Sequence, residues 1–178
     1  MVRSNRRLWV VRLAALGLSS LSATMPIMGI ANSGPEDAPM RGDLDGKMFV
    51  GTFAPADGAR GRQDALSFRD GYFWSGVCVP CGFEPTIYWV RMVGDEIHFR
   101  GEMASAESGR FAYSGVVNGN RLVATVDWRK DRWYWSIRRQ FRFEGDLSEA
   151  PITSSVAAMV ERARKASVTP EPDVVCPL

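Results

Sequence analysis

Between residues 46 and 147 apolar and polar side chains alternate with a period of two. Ile97, Phe99 and Met103 are interleaved with Glu96, His98, Arg100 and Glu102. Leu122, Ala124, Val126 and Trp128 are interleaved with Arg121, Val123, Thr125 and Asp127, and Phe111, Tyr113 and Val117 oppose Arg110, Ala112 and Ser114. Side chains of a strand point alternately to its two faces, so this pattern predicts strands with one buried face. The pairs Asp70-Gly71, Gly94-Asp95, Asn118-Gly119 and Lys130-Asp131 punctuate the runs, and short Gly/Asn/Asp turns supply the positive φ that tight hairpins need. Eight strands follow, at 46–54, 64–69, 72–78, 86–93, 96–103, 109–117, 121–128 and 132–145. Joined by short turns they pair antiparallel, and eight such strands predict a closed up-and-down barrel, which leaves no exposed sheet edge. A two-sheet β-sandwich is the alternative.

The last strand carries Trp133, Trp135, Ile137, Phe141 and Phe143 on one face, with Arg139 in their midst. An arginine on an apolar face needs a partner or an aromatic ring; Phe49 or Phe53 of the first strand is the expected neighbour. The period then changes. Val156, Met159, Val160 and Ala163 follow helical spacing, which predicts one C-terminal α-helix over 152–167, capped by Thr153 or Ser154 and laid against the barrel wall. Residues 168–178 form an extended, proline-bearing tail.

The first 31 residues differ in kind. Arg3, Arg6, Arg7 and Arg12 precede a short apolar run at 13–21, and small residues follow, up to Gly29-Ile30-Ala31. That is the pattern of a secretory signal peptide, and the run is too short and too polar for a membrane span. Residues 32–45 read as a flexible linker, and the chain is expected in the periplasm or outside the cell. Cleavage removes four of the 22 basic residues and none of the 20 acidic ones, so the formal charge turns from +2 to −2. Arg138, Arg139 and Arg142 form the only local basic cluster, and alternation divides them between two faces. No basic stripe points to nucleic acid.

Cys78 and Cys81 form a C-x-x-C, and Cys176 stands near the C-terminus. In an oxidising compartment an odd count leaves one thiol free or one bond intermolecular. A bridge from Cys176 to Cys81 or Cys78 would hold the tail. The rival is a redox dithiol, although the motif here follows a strand instead of opening a helix, where the thiol pKa is lowered. A metal site would need a fourth ligand, and the one histidine, His98, alternates outward; neither metal nor cofactor is expected. Asp127 and Asp131 lie at a hairpin end, where turn chemistry accounts for them. No catalytic constellation emerges.

The order of these elements resembles the lipocalin and wider calycin group, in which an aromatic near the start of the first strand packs on an arginine of the last. Gly46-Lys47-Met48-Phe49 stands where that group has Gly-x-Trp, one residue longer and with Phe for Trp. A second likeness is closer. Asp70-Gly71-Tyr72-Phe73-Trp74-Ser75, followed by Cys78 and Gly82-Phe83, is similar to the D-G-x-F-x-S-x-x-C-x-x-x-G-F segment of small secreted bacterial β-barrel domains. It covers about 80 residues when Tyr113–Gly119 and Thr125–Trp128 are included, and it implies no activity.

Large rings are the remaining signal. They fill the core, or they form a surface for a ligand or partner. The reading is an exported, non-catalytic binding module for a small apolar ligand or an envelope protein. As a carrier it would line its site with Trp89, Trp128, Trp133 and Trp135 and close one end with Arg139. The alternative is a thiol–disulfide or thiol-sensor protein that uses Cys78 and Cys81.

Overall fold

The computed structural model describes residues 42–169 together with Cys176. The alternation closes on itself: β1 (Met48–Pro55), β2 (Arg62–Arg69), β3 (Tyr72–Ser75), β4 (Thr86–Val93), β5 (Glu96–Ser105), β6 (Gly109–Asn118), β7 (Arg121–Asp131) and β8 (Ser136–Leu147) pair in sequence order, and β8 returns to β1. Every pairing is antiparallel. The protein is thus an all-β, closed eight-stranded up-and-down barrel with one C-terminal helix, α1 (Val156–Val168), and not the two-sheet sandwich. Residues 1–31, read above as a signal peptide, most of the expected linker and most of the tail lie outside the described residues.

The inward positions carry the expected apolar side chains. Phe49, Phe53, Phe68, Phe73, Phe99, Phe111 and Phe143 are buried, and all but Phe143 meet another ring edge-on or stacked at about 5–6 Å, as in Phe68–Phe99 (5.2 Å) and Phe53–Phe141 (5.0 Å). Such packing adds to the plain benefit of burying apolar area. Glycines make room for it. In β5, β6 and β8 a Gly follows an inward aromatic two residues on, at Phe99-x-Gly101, Tyr113-x-Gly115 and Phe143-x-Gly145, and Gly51 stands between Phe49 and Phe53. A Cβ on Gly101 would collide with the Phe73 ring, one on Gly115 with Phe99, and one on Gly51 with the Glu144 carbonyl of the neighbouring strand. Small inward residues let strands bend at barrel corners and let rings lie over the backbone.

The two ends are closed differently. At the end holding the β2–β3 turn, where Asp70 and Gly71 both have positive φ (53° and 76°), residues 42–47 fold inward. Leu44 is fully buried, and its N–H donates to Tyr88 Oη (3.2 Å), which in turn donates to Asp45 (2.8 Å). The Asp45 carboxylate also accepts from the Gly71 N–H. At the other end residues 76–85 cross between β3 and β4, with a 3-10 turn at Val79–Cys81.

Several element ends lie a few residues from their expected places, the helix starting at Val156 and not at residue 152, and at three of them a side-chain hydrogen bond marks the new end. β3 ends at Ser75, not at residue 78, because Asp64 of β2 accepts from the Ala65 N–H (2.7 Å) and the Val77 N–H (3.0 Å) and turns the chain. β7 runs on to Asp131, which accepts from Arg129 Nε (2.7 Å) and Ser136 Oγ (2.5 Å); the hairpin turn lies at residues 132–135 and not at Lys130-Asp131. The helix cap is Ser155, one residue beyond the expected pair: its Oγ accepts from the Ala158 N–H (3.2 Å). The Arg69 guanidinium occupies the carbonyls of Ile152 and Ser154 just before it. From there α1 packs against the 3-10 turn, with Ala163 and Ala166 buried.

Candidate functional site

The residues singled out in the sequence separate into four places. Trp128 points into the barrel, is 4% exposed and donates its Nε1–H to the Ser108 carbonyl (2.9 Å). Trp89 stands on the outer wall of β4, 37% exposed. Trp133 and Trp135 lie in the loop at the tip of the β7–β8 hairpin, 93% and 48% exposed, with Tyr134 between them at 67%. The Trp133 and Tyr134 rings meet edge-on at 4.6 Å. Period two would have put Trp133 and Trp135 on the inner face with Phe141, but the loop lifts them clear of the strand. The four tryptophans therefore do not converge, and the interior where a lipocalin holds its ligand is packed with phenylalanine.

Arg139 has not found the ring expected of it. Phe53 stacks on Phe141 and meets Phe111 edge-on instead. Arg139 is exposed at the rim, beside a recess of about 220 Å³ that it shares with Arg60, Arg62, Phe53 and Cys176. The division of Arg138 from Arg139 by strand alternation also fails there, because both faces of β8 are wet at its start. Both line one open groove of about 550 Å³ with Arg110, Arg129, Asp127 and Glu102. Asp127 is held by the Gln140 side chain (3.0 Å), and His98 faces Glu96 (3.2 Å) on the outer wall.

Under the 3-10 turn lies a buried polar cluster that sequence reasoning missed. Ser75 Oγ donates to Asp64 (2.7 Å) and accepts from the Cys78 N–H (3.3 Å), and Cys78 Sγ lies 3.5 Å from Tyr113 Oη. All four side chains are buried, and no buried polar side-chain atom among the described residues lacks a partner. Burial raises the Asp64 pKa above its ordinary value, and its hydrogen bonds offset only part of that. Burial, and then the charge of Asp64, push the Cys78 thiol up to about 12; burial raises Tyr113 likewise. The signal was present in the D-G-x-F-x-S-x-x-C segment, whose Ser and Cys both point into this cluster. Its partner Asp64 lies one strand earlier, outside the motif.

Cys81 is bonded to Cys176, with Cα atoms 5.7 Å apart, and Cys78 is the free thiol. A redox dithiol needs an accessible thiol of lowered pKa. Cys78 has the reverse of both properties, and its C-x-x-C partner is already engaged by the tail. Among the described residues no three His, Cys, Asp or Glu side chains gather as a metal site. A cluster sealed from solvent has no path to a substrate. Its chemistry is that of a latch: it satisfies the backbone N–H groups where residues 76–78 turn over the barrel end.

The outer surface is where reactive contact is possible, and its most unusual feature is the hairpin tip, with three large rings in solvent above a band of arginines. Large exposed apolar groups in a contiguous patch mark contact sites more often than chance. Compared with family models, with curated proteins and with solved structures, the chain matches none.

Proposed function

We propose that the protein is an exported, non-catalytic binding module that makes its contact through the β7–β8 hairpin tip and not through the barrel interior. The observation that carries this is the position of Trp133, Tyr134 and Trp135, all in solvent and adjacent, whereas the other large rings among the described residues are buried except Trp89 and Tyr72, each 37% exposed. Aromatic side chains give much contact area for little loss of conformational freedom, which is why they anchor interfaces. The packed interior supports an outer contact over a carried apolar ligand. Support for export is the character of residues 1–31 and a disulfide of the kind that persists in oxidising compartments.

A photo-reactive benzoylphenylalanine in place of Tyr134, in cells making the full chain, tests the reading. The expected result is a discrete crosslinked envelope species, lost when Trp133 and Trp135 are also changed to alanine. Absence of any crosslink at Tyr134, to protein or to lipid, or native mass spectra of the purified protein that retain a small apolar molecule, would overturn it in favour of a carrier.

A further inference from the structure

The charge around the tip names the chemistry of its partner. β-sheets avoid like charges directly opposite one another, because such pairs destabilise the sheet. Here Arg110 of β6 pairs with Arg129 of β7, and Arg129 pairs with Arg138 of β8. Three outward arginines thus stand in one row across three strands, just below the rings. Glu102 answers Arg110 (3.4 Å) and Asp131 answers Arg129 (2.7 Å). Arg138 has no acidic partner among the described residues, nor have Lys130, Arg132 and Arg139, which surround the loop. From Arg129 to Arg139 the single acidic side chain is Asp131, already held by Arg129 and Ser136.

The opposite end of the barrel has the other sign. Its turns and flanks carry Asp43, Asp45, Asp70, Asp95, Glu96 and Asp146, against Lys47, Arg69 and Arg121. The loops at the tip end carry Asp57, Glu107 and Asp131 against Arg60, Arg110, Arg129, Lys130, Arg132, Arg138 and Arg139, so the described barrel is acidic at one end and net basic and aromatic at the other. Such a distribution orients a molecule toward an anionic surface before contact. Tryptophan and tyrosine side chains favour the boundary between headgroups and acyl chains, and Lys and Arg beside them are drawn to anionic lipid. A protein partner would need a cavity for each ring; a bilayer interface accepts the Trp133-Tyr134-Trp135 loop as it stands.

We infer that the basic end of the barrel docks on an anionic lipid surface, with Trp133 and Trp135 entering the interface and Arg132, Arg138 and Arg139 lying against the headgroups. This rests on the hairpin tip being the contact surface, and it adds the partner's chemistry. The test is co-sedimentation of the oxidised, signal-cleaved protein with vesicles of phosphatidylcholine alone and of phosphatidylcholine with phosphatidylglycerol at three parts to one. Tryptophan emission is read in the same samples.

Expected are binding and a blue shift with the anionic vesicles only, both reduced by salt. Trp133→Ala/Trp135→Ala should remove the blue shift and weaken binding about tenfold or more, with unchanged thermal unfolding. Arg132→Gln/Arg138→Gln should weaken binding by a similar factor and make what remains less sensitive to salt. No association with the anionic vesicles, or equal association with both compositions, overturns the inference. So does binding that neither double variant weakens. The Tyr134 crosslink separates the two failures: a crosslinked envelope protein without vesicle binding leaves the tip as the contact surface and gives it a protein partner, whereas loss of both ends the reading as well.

Discussion

At the scale of single residues, Asp64 has the largest structural effect for its size. Its carboxylate ties Ser75, Ala65 and Val77 together and so sets where β3 stops. Asp64→Ala leaves a buried hydroxyl and two half-buried N–H groups without their acceptor, which should cost about 1–3 kcal/mol in a denaturant titration. Because the folded-state pKa of Asp64 is raised, the folded chain holds a proton that the unfolded chain releases above about 3.8. The contribution of Asp64 to stability is therefore complete at acid pH and declines as pH rises through that window. The cost of Asp64→Ala should shrink correspondingly from acid to neutral pH; a cost that grows with pH would contradict a raised pKa. None of this was legible from Asp64 in the sequence, where it reads as one more polar position of an alternating strand. Its meaning depends on Ser75 and Cys78, which only the β2–β3 pairing brings beside it.

At the scale of elements, the β7–β8 hairpin shows how far alternation reaches. Leu122, Ala124, Val126 and Trp128 face inward as period two requires. The same period, carried through residues 132–135, puts Trp133 and Trp135 on the wrong side, because a loop does not keep the pleat. The two classes of tryptophan should separate cleanly in unfolding experiments. Trp128→Ala removes a ring packed by Phe111 and an indole hydrogen bond, and should cost about 3–5 kcal/mol. Trp133→Ala and Trp135→Ala should each stay within about 0.5 kcal/mol of the parent, as surface substitutions do. A comparable loss at Trp133 would mean that the loop folds back onto the barrel.

At the scale of the whole molecule, the Cys81–Cys176 bond joins points 95 residues apart and holds Cys176 at the barrel rim. Closing a loop of that length restricts the unfolded chain, and Cys176→Ser should lower stability by up to about 4 kcal/mol. In the same experiment the parent should show no reactive thiol when folded and one, Cys78, when unfolded, since Cys78 is buried and its thiol is pushed up to about 12. The variant should show Cys81 as an additional thiol. Ready labelling of Cys78 in the folded parent would revive the thiol-sensor alternative.

What the sequence determined by itself is what depends on local rules. Alternation, turn chemistry and the change to helical spacing are properties of neighbouring residues, and they specify eight strands, their antiparallel order and one helix without any partner being known. The odd cysteine count likewise restricted the bonding to a few possibilities. The tertiary structure decided whatever depended on residues far apart in the chain. It chose Cys81 over Cys78 for the tail: Cys78 lies fully buried beside Tyr113, and it is Cys81 that meets Cys176 at the rim. It filled the barrel with phenylalanine over facing glycines, placed Arg139 in solvent where Phe141 had taken the Phe53 ring, and aligned Arg110, Arg129 and Arg138 in one row through strand register. Register is set by the closure of the whole barrel, so a row that crosses three strands has no signature in any one of them.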